Sequence, residues 1–215
     1  ITRVFCDDID TNVVASLIHE NSLLGIKESY SIARYLLMNK DHDGLAFAKE
    51  ALKYMSVHDK VPRAFEVNAG IIYEAILSAS AFAQLKRHRL MTLLSQDYDP
   101  TLGITIPDNV SEVGADKRLV EVCKMSSELF EEFKPKYGEA AEYCLTNAHR
   151  RRVIVAANLR EQYHMSRMRE DKHAQWDIRA LVKDVSETIR QEAPIASMLL
   201  GGKHEFDSLR AGLYR

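Results

Sequence analysis

Phe65-Glu66-Val67-Asn68-Ala69-Gly70-Ile71-Ile72-Tyr73-Glu74-Ala75-Ile76-Leu77 runs directly into Ser78-Ala79-Ser80-Ala81-Phe82-Ala83-Gln84-Leu85-Lys86-Arg87-His88-Arg89. The first half is rich in β-branched and aromatic residues, with Ile71, Tyr73 and Ala75 alternating against Ile72, Glu74 and Ile76. That period of two predicts a strand over 65–77. Ser78 is a good N-cap, because its hydroxyl can accept an otherwise unpaired backbone N–H. It predicts a helix through Ala81, Phe82 and Leu85 that carries Arg87-His88-Arg89 at its far end. Two cations flanking an imidazole after a strand and a short helix form a compact anion-recognition unit.

Outward from this stretch the chain alternates helix and strand. Thr2–Cys6 reads as an opening strand. Helical spacing follows through Ile32, Ala33, Leu36 and Leu37, and again through Leu45, Ala48, Ala51, Leu52 and Met55. Tyr98-Asp99-Pro100 starts a loop, and Ile104-Thr105-Ile106-Pro107 reads as a brief extended piece. An amphipathic helix is expected from Asp116 to Phe133, with Leu119, Val122, Cys123, Ser126, Leu129, Phe130 and Phe133 on its apolar stripe. Pro135 and Gly138 punctuate it. Residues 152–156 suggest a short strand feeding a helix from Asn158. Ile178, Leu181, Val182, Val185 and Ile189 mark the clearest helix of all. Gly201-Gly202 reads as a flexible turn in a polar tail. The fold class expected is α+β, an antiparallel sheet flanked by helices, in one domain over residues 1–215 that is excised from a longer chain.

Composition narrows the function classes. At 215 residues, 46% hydrophobic and 28% charged, the chain can bury a sizeable core. The formal charge of −2 gives no global field toward nucleic acid or anionic lipid, so neither partner is expected. Arg150-Arg151-Arg152 reads as an edge-strand or solvated feature rather than a nucleic-acid patch. No apolar run reaches membrane-spanning length. Cys6, Cys123 and Cys144 lack metal-ligand spacing and fit reduced thiols in a cytoplasmic protein. No HExxH, P-loop or GxGxxG is present, so no metal site is expected.

A second cluster gives Arg87-His88-Arg89 its meaning. It comprises Asn158-Leu159-Arg160, Met168-Arg169 and His173-Ala174-Gln175-Trp176-Asp177-Ile178-Arg179. In an unbroken helix turning about 100° per residue, Asn158, Gln162, Met165 and Arg169 share one face. Two amides and a guanidinium there suit a planar heterocycle with carbonyl and imide edges. The bland reading is a solvated polar face.

Together these residues resemble the flavin-dependent thymidylate synthases, as a divergent member. Gln84-Leu85-Lys86-Arg87-His88-Arg89 looks like the family's Q-x-x-RHR segment, and the second cluster looks like its N-x-R, LR and AQWEIR run. Ile104–Pro107 is similar to its Ile-Pro segment, and His58, ahead of Pro62 and Glu66, to its upstream histidine. The resemblance implies FAD held between subunits of a homo-oligomer, as a tetramer. It further implies reductive methylation of dUMP, with methylenetetrahydrofolate and NADPH as co-substrates. His58, Arg87, His88, Arg89, Asn158, Arg160 and His164 would contact the flavin. Gln84, Arg87 and Arg169 would address the pyrimidine, Arg169 as the catalytic group. The two motif clusters do not obviously complete one cleft within a single chain, which points the same way.

Departures from the pattern gather on one ligand group. Where a loop of the family grips the nucleotide phosphate, the resemblance implies a loop over Leu90–Asp99 that places Ser95 for glutamate, Asp97 for serine and Asp99 for arginine; a further arginine falls on Glu142. Like charges at about 4 Å repel by roughly 1 kcal/mol in water and about 4 near a protein surface. The alternative expectation is therefore a catalytically degenerate member, a flavin- or nucleotide-binding domain or a subunit partner.

Overall fold

The computed structural model describes residues 2–6, 8–38, 44–67 and 69–214. Four antiparallel strands form one sheet in the order β1-β2-β4-β3: β1 (Thr2–Cys6), β2 (Gly70–Ser78), β3 (Thr92–Ser95) and β4 (Arg150–Asn158). The central pair runs in register from Gly70 opposite Asn158 to Ser78 opposite Arg150. Helices flank this sheet: α1 (Ile9–Glu20), α2 (Ile26–Met38), α3 (Gly44–Leu52), α4 (Ala79–Leu85), α5 (Asp108–Glu112), α6 (Asp116–Tyr137), α7 (Leu159–Arg169), α8 (Trp176–Glu192) and α9 (Phe206–Leu213). The α+β class is as expected.

Period-two alternation builds the core. Ile71, Tyr73, Ala75 and Leu77 from β2, and Val153, Val155 and Ala157 from β4, are buried on one sheet face. They meet Leu85, Leu159, Met165, Ile178, Val182, Val185 and Ile189 from the helices. Each fully buried aliphatic side chain is worth about 1.5–3 kcal/mol. On the other face Ile76, Leu94 and Ile154 are exposed.

Several expectations are corrected. The strand expected over 65–77 begins only at Gly70; Arg63–Glu66 forms a 3-10 turn instead, and Asn68 lies outside the described residues. Phe65 has a strand former's composition but is spent plugging the core at 0% exposure, edge-on to Tyr163. Thr92–Ser95, expected as loop, pairs with Val153–Ala156 as the sheet's last strand. The arginine triplet accordingly starts an interior strand, not an edge strand. Arg152 pairs with Glu74 at 2.8 Å, Arg150 donates to Thr105, and Arg151 lies 4.5 Å from both the Phe82 and Tyr98 rings.

Helix α6 runs to Tyr137, past Pro135, and closes on Gly138 at φ +58°, a backbone that L side chains rarely adopt. Of its expected stripe only Cys123, Ser126 and Phe130 are buried, while Val122 and Leu129 are exposed. A 3-10 segment, Gly138–Cys144, follows. Gly201 and Gly202 are buried rather than in a loose tail: a Cβ on Gly201 would meet Leu209 at 2.7 Å. The sequence reading missed α1, whose Asp10 accepts the amides of Ile195 and Ala196. Cys123 and Cys144 are free thiols, and the Cys6 side chain lies outside the described residues.

Candidate functional site

The site is built from two strand-to-helix junctions at opposite ends of the β2–β4 pair. Ser78 ends β2 and caps α4, its hydroxyl accepting Ala81 N–H at 3.0 Å. Asn158 ends β4 and caps α7, its side chain accepting Glu161 N–H at 2.9 Å. Because β2 and β4 are antiparallel, the two helices leave opposite ends of the strand pair. The length of α7 brings its C-terminal Arg169 back to the far end of α4. The recognisable Gln175–Arg179 run completes this scaffold. Gln175 caps α8 by accepting Ile178 N–H, Asp177 accepts the Ser78 hydroxyl, and Arg179 donates to Lys172 O.

Four side chains meet inside this frame. Arg169 donates from Nε to His88 Nε2 at 3.0 Å, from Nη1 to Gln84 Oε1 at 3.0 Å, and from Nη2 to the Gln84 carbonyl at 3.3 Å. On its other side His88 faces Glu161 Oε1 from Nδ1 at 3.3 Å. The His88 and Glu161 side chains are each 3% exposed. Residues 73 and 81 positions apart are thus joined within one chain. Burial holds the Arg169 guanidinium below its ordinary pKa, and nearby Arg87 adds to the effect. His164 packs edge-on against His88 at 5.6 Å, and burial lowers its pKa.

Beside this cluster opens a cavity of about 270 Å³ lined by Lys60, Val61, Leu90, Asn158, His164 and Arg167 among others. Its walls carry more cationic than anionic groups. Arg160 also lines it, donating from Nε to Val61 O and pairing with Glu66. Arg167 donates to Asp59 O and lies 5.3 Å from the Phe206 ring, leaving its buried Nε and Nη2 without partners among the described residues. Burial lowers its pKa. Unspent guanidinium donors beside a cavity are chemically suited to phosphate.

The remaining expected residues distribute as follows. Arg87 and Arg89 are exposed, so the triplet splits, with its histidine turned inward and its arginines outward. His58 is exposed in the turn before Lys60 and does not line the cavity. Gln162 and Met165, expected to share a ligand face with Asn158 and Arg169, are 1% exposed and turned into the core, because that face of α7 packs on the sheet. Ser95 accepts from Arg151, and Asp99 accepts both the amide and the hydroxyl of Thr101. Those bonds hold the exposed Asp99 carboxyl below the usual carboxylate range. Glu142 lines a cavity of about 530 Å³ with Tyr98, Glu139 and Tyr143. Of the positions matching the phosphate clamp, Glu142 therefore borders a second acid, whereas Ser95 and Asp99 lie near Arg151 and Arg152.

Sequence reasoning missed Lys60, Glu161 and Arg167. Glu161 carries a signal, since Asn158-x-x-Glu161 has the spacing of a capping box. That signal points the carboxylate at the helix's own N-terminus, whereas it turns to His88 instead. With His164, these two residues also place ligand atoms within 4.8 Å of one another, a metal-like trio where none was expected. Both ring nitrogens of His88 are already engaged, one by a cationic guanidinium, so the trio is not an open ligand set.

The fold and site thus define an antiparallel sheet flanked by helices, with a Gln-His-Arg-Glu cluster, buried at His88 and Glu161, beside a cavity lined by more cationic than anionic groups. The family model described as "Thymidylate synthase complementing protein" matches residues 23–195, and the chain belongs to that family. It is also 24% identical over 137 residues to the UPF0159 protein Ta1429 of Thermoplasma acidophilum, a stretch covering 63% of this chain. The chain spans only about a quarter (27%) of that relative's length. Among the described residues no helix is long and apolar enough to cross a membrane.

Proposed function

We propose that this chain binds FAD in the basic cavity and a pyrimidine against Arg169 and Gln84, but lacks the clamp for the 5′-phosphate of dUMP. The observation that carries the reading is the assembled Gln84-His88-Arg169 cluster beside a cavity whose Arg167 keeps unspent buried donors. Arg160, Asn158, His164 and Arg167 would hold the cofactor, with Arg87 and Arg89 reaching it from the exposed turn. FAD, when bound and reduced by NADPH, would supply the electron pair that reduces a transferred one-carbon unit to methyl. Arg169 is the group placed to stabilise negative charge on a pyrimidine ring.

At about 270 Å³ the cavity lies below the usual range of roughly 300–1,000 Å³ for small-molecule sites and is too small for a whole dinucleotide. That supports a site completed by a second copy in a homo-oligomer, with the tetramer as its form. Reductive methylation of dUMP, using methylenetetrahydrofolate and NADPH, then requires a subunit or domain that contributes the phosphate clamp. By itself residues 1–215 act as one flavin- and nucleotide-binding domain and partner.

Titration of dUMP against deoxyuridine tests this on FAD-loaded protein. With no clamp, the two bind within about threefold of each other, and tritium release from C5-labelled dUMP is negligible. An arginine–phosphate hydrogen bond contributes about 1.5–3 kcal/mol. The variant Asp97→Ser, Asp99→Arg, Glu142→Arg therefore gains about tenfold or more for dUMP and nothing for deoxyuridine. A wild-type chain that prefers dUMP tenfold, or purified protein that takes up no flavin absorbance, overturns the reading.

A further inference from the structure

Among the described residues, Glu161 is the acid bonded directly to the Gln84-His88-Arg169 cluster, and none of the motif matches uses it. Its place follows from hydrogen-bond logic. A guanidinium has five N–H donors and no acceptor, so at 3.0 Å Arg169 Nε–H must donate to His88 Nε2. That nitrogen therefore carries a lone pair. A neutral imidazole has one N–H, which must then sit on Nδ1 and point to Glu161 Oε1 at 3.3 Å. The carboxylate accepts only, and both side chains are 3% exposed, so water does not compete for the bond.

We propose that Glu161 is a positioning residue that fixes the Nδ1–H form of His88, so that Nε2 can hold the Arg169 guanidinium in place. The inference rests on the reading that Arg169 addresses a pyrimidine. Three of its five donors go to His88 and Gln84, leaving one N–H on Nη1 and one on Nη2. Without Glu161, His88 is free to carry its proton on Nε2. The ring then points a donor at a donor, and Arg169 loses its anchor. The order Glu161, His88, Arg169 transmits orientation alone; no proton moves along it.

Full-chain protein labelled with ¹⁵N-histidine and ¹⁵N-arginine tests the proposal, by the ring-nitrogen pattern of His88 and the exchange rate of Arg169 Nε–H. Wild type shows a protonated Nδ1, an unprotonated Nε2 and a slowly exchanging Nε–H. Glu161→Leu loses that pattern, exchanges faster at Arg169, and binds deoxyuridine about tenfold or more weakly, a misplaced group being costly. Glu161→Gln keeps an acceptor oxygen for Nδ1–H, preserves the pattern and stays within about threefold. Should Glu161→Leu not fold, Glu161→Asp, one methylene short of His88, carries the same expectation. A wild-type His88 protonated on Nε2, or unchanged Arg169 exchange in both the Leu and Asp variants, overturns the proposal. The expected patterns in a wild type that binds no pyrimidine uphold the positioning of Arg169 and overturn the ligand reading instead.

Discussion

At the scale of single residues, burial separates side chains that the motif groups together. Arg87 and Arg89 are exposed and His88 is not, although the three are adjacent. Arg87→Ala and Arg89→Ala should leave stability within about 0.5 kcal/mol, as surface changes do, while each weakens FAD retention. His88→Ala should lower the melting temperature, because it leaves Glu161 buried and unpaired. Thermal melts with a flavin titration on all three variants check this; equal stability losses at all three positions would contradict the inward–outward split. Asp10 offers a pH test. Burial raises its carboxyl above 3.8, with the Ala196 and Ile195 amides pulling it back. A raised folded-state pKa makes its stabilisation full below the unfolded value, to be lost as pH rises through the folded one. Asp10→Asn removes that dependence. Its melting temperature, compared with wild type between about pH 3.5 and 7, should improve relative to wild type as pH rises. A constant difference would show that Asp10 does not titrate in this window.

At the scale of elements, α7 and α8 carry the site, and their caps matter more than their lengths. Gln175, Asp177 and Arg179 belong to the most recognisable run in the chain, yet Gln175 and Arg179 bond locally, and Asp177, accepting from Ser78, ties α8 to the start of α4. Ile178 and Val182 are 0% exposed, one turn apart beneath the sheet. Ile178→Ala should cost about 2–5 kcal/mol by opening a cavity there, and it should loosen the floor under Gln84. Chemical denaturation reads the first effect and FAD affinity the second; a loss below about 1 kcal/mol would mean that the helix does not pack as described. Gly138 ends α6 at φ +58°, so Gly138→Ala is strained even though nothing lies within 4 Å of the added methyl.

At the scale of the whole molecule, the apolar surface left uncovered is extensive. Ile76, Leu94 and Ile154 on the open sheet face, and Val122, Met125 and Leu129 on α6, are all exposed. Together with a cavity too small for a dinucleotide, this fits association with further copies. Sedimentation of FAD-loaded protein at micromolar concentration should show an oligomer. A monomer that retains FAD at full affinity would contradict a shared site.

Strand β2, the Ser78 cap and helix α8 were legible in the sequence because each depends on local chemistry: side-chain period, capping hydroxyl, apolar spacing. So was family membership, carried by Gln84–Arg89 and Asn158–Arg179. Strand β3 was not legible, since Thr92–Ser95 becomes a strand only through pairing with β4. The direction of Glu161 was not legible either. Its spacing from Asn158 predicts a local cap, and only the antiparallel placement of β2 against β4 brings His88 within reach as a competing partner. The same holds for Gln162 and Met165, which share a face with Arg169 by period but lose it to the core. Local propensities depend on neighbours in the chain and can be read from it. Which polar atom meets which across 73 to 85 residues depends on packing, and that exists only once the helices leaving opposite ends of the strand pair have met.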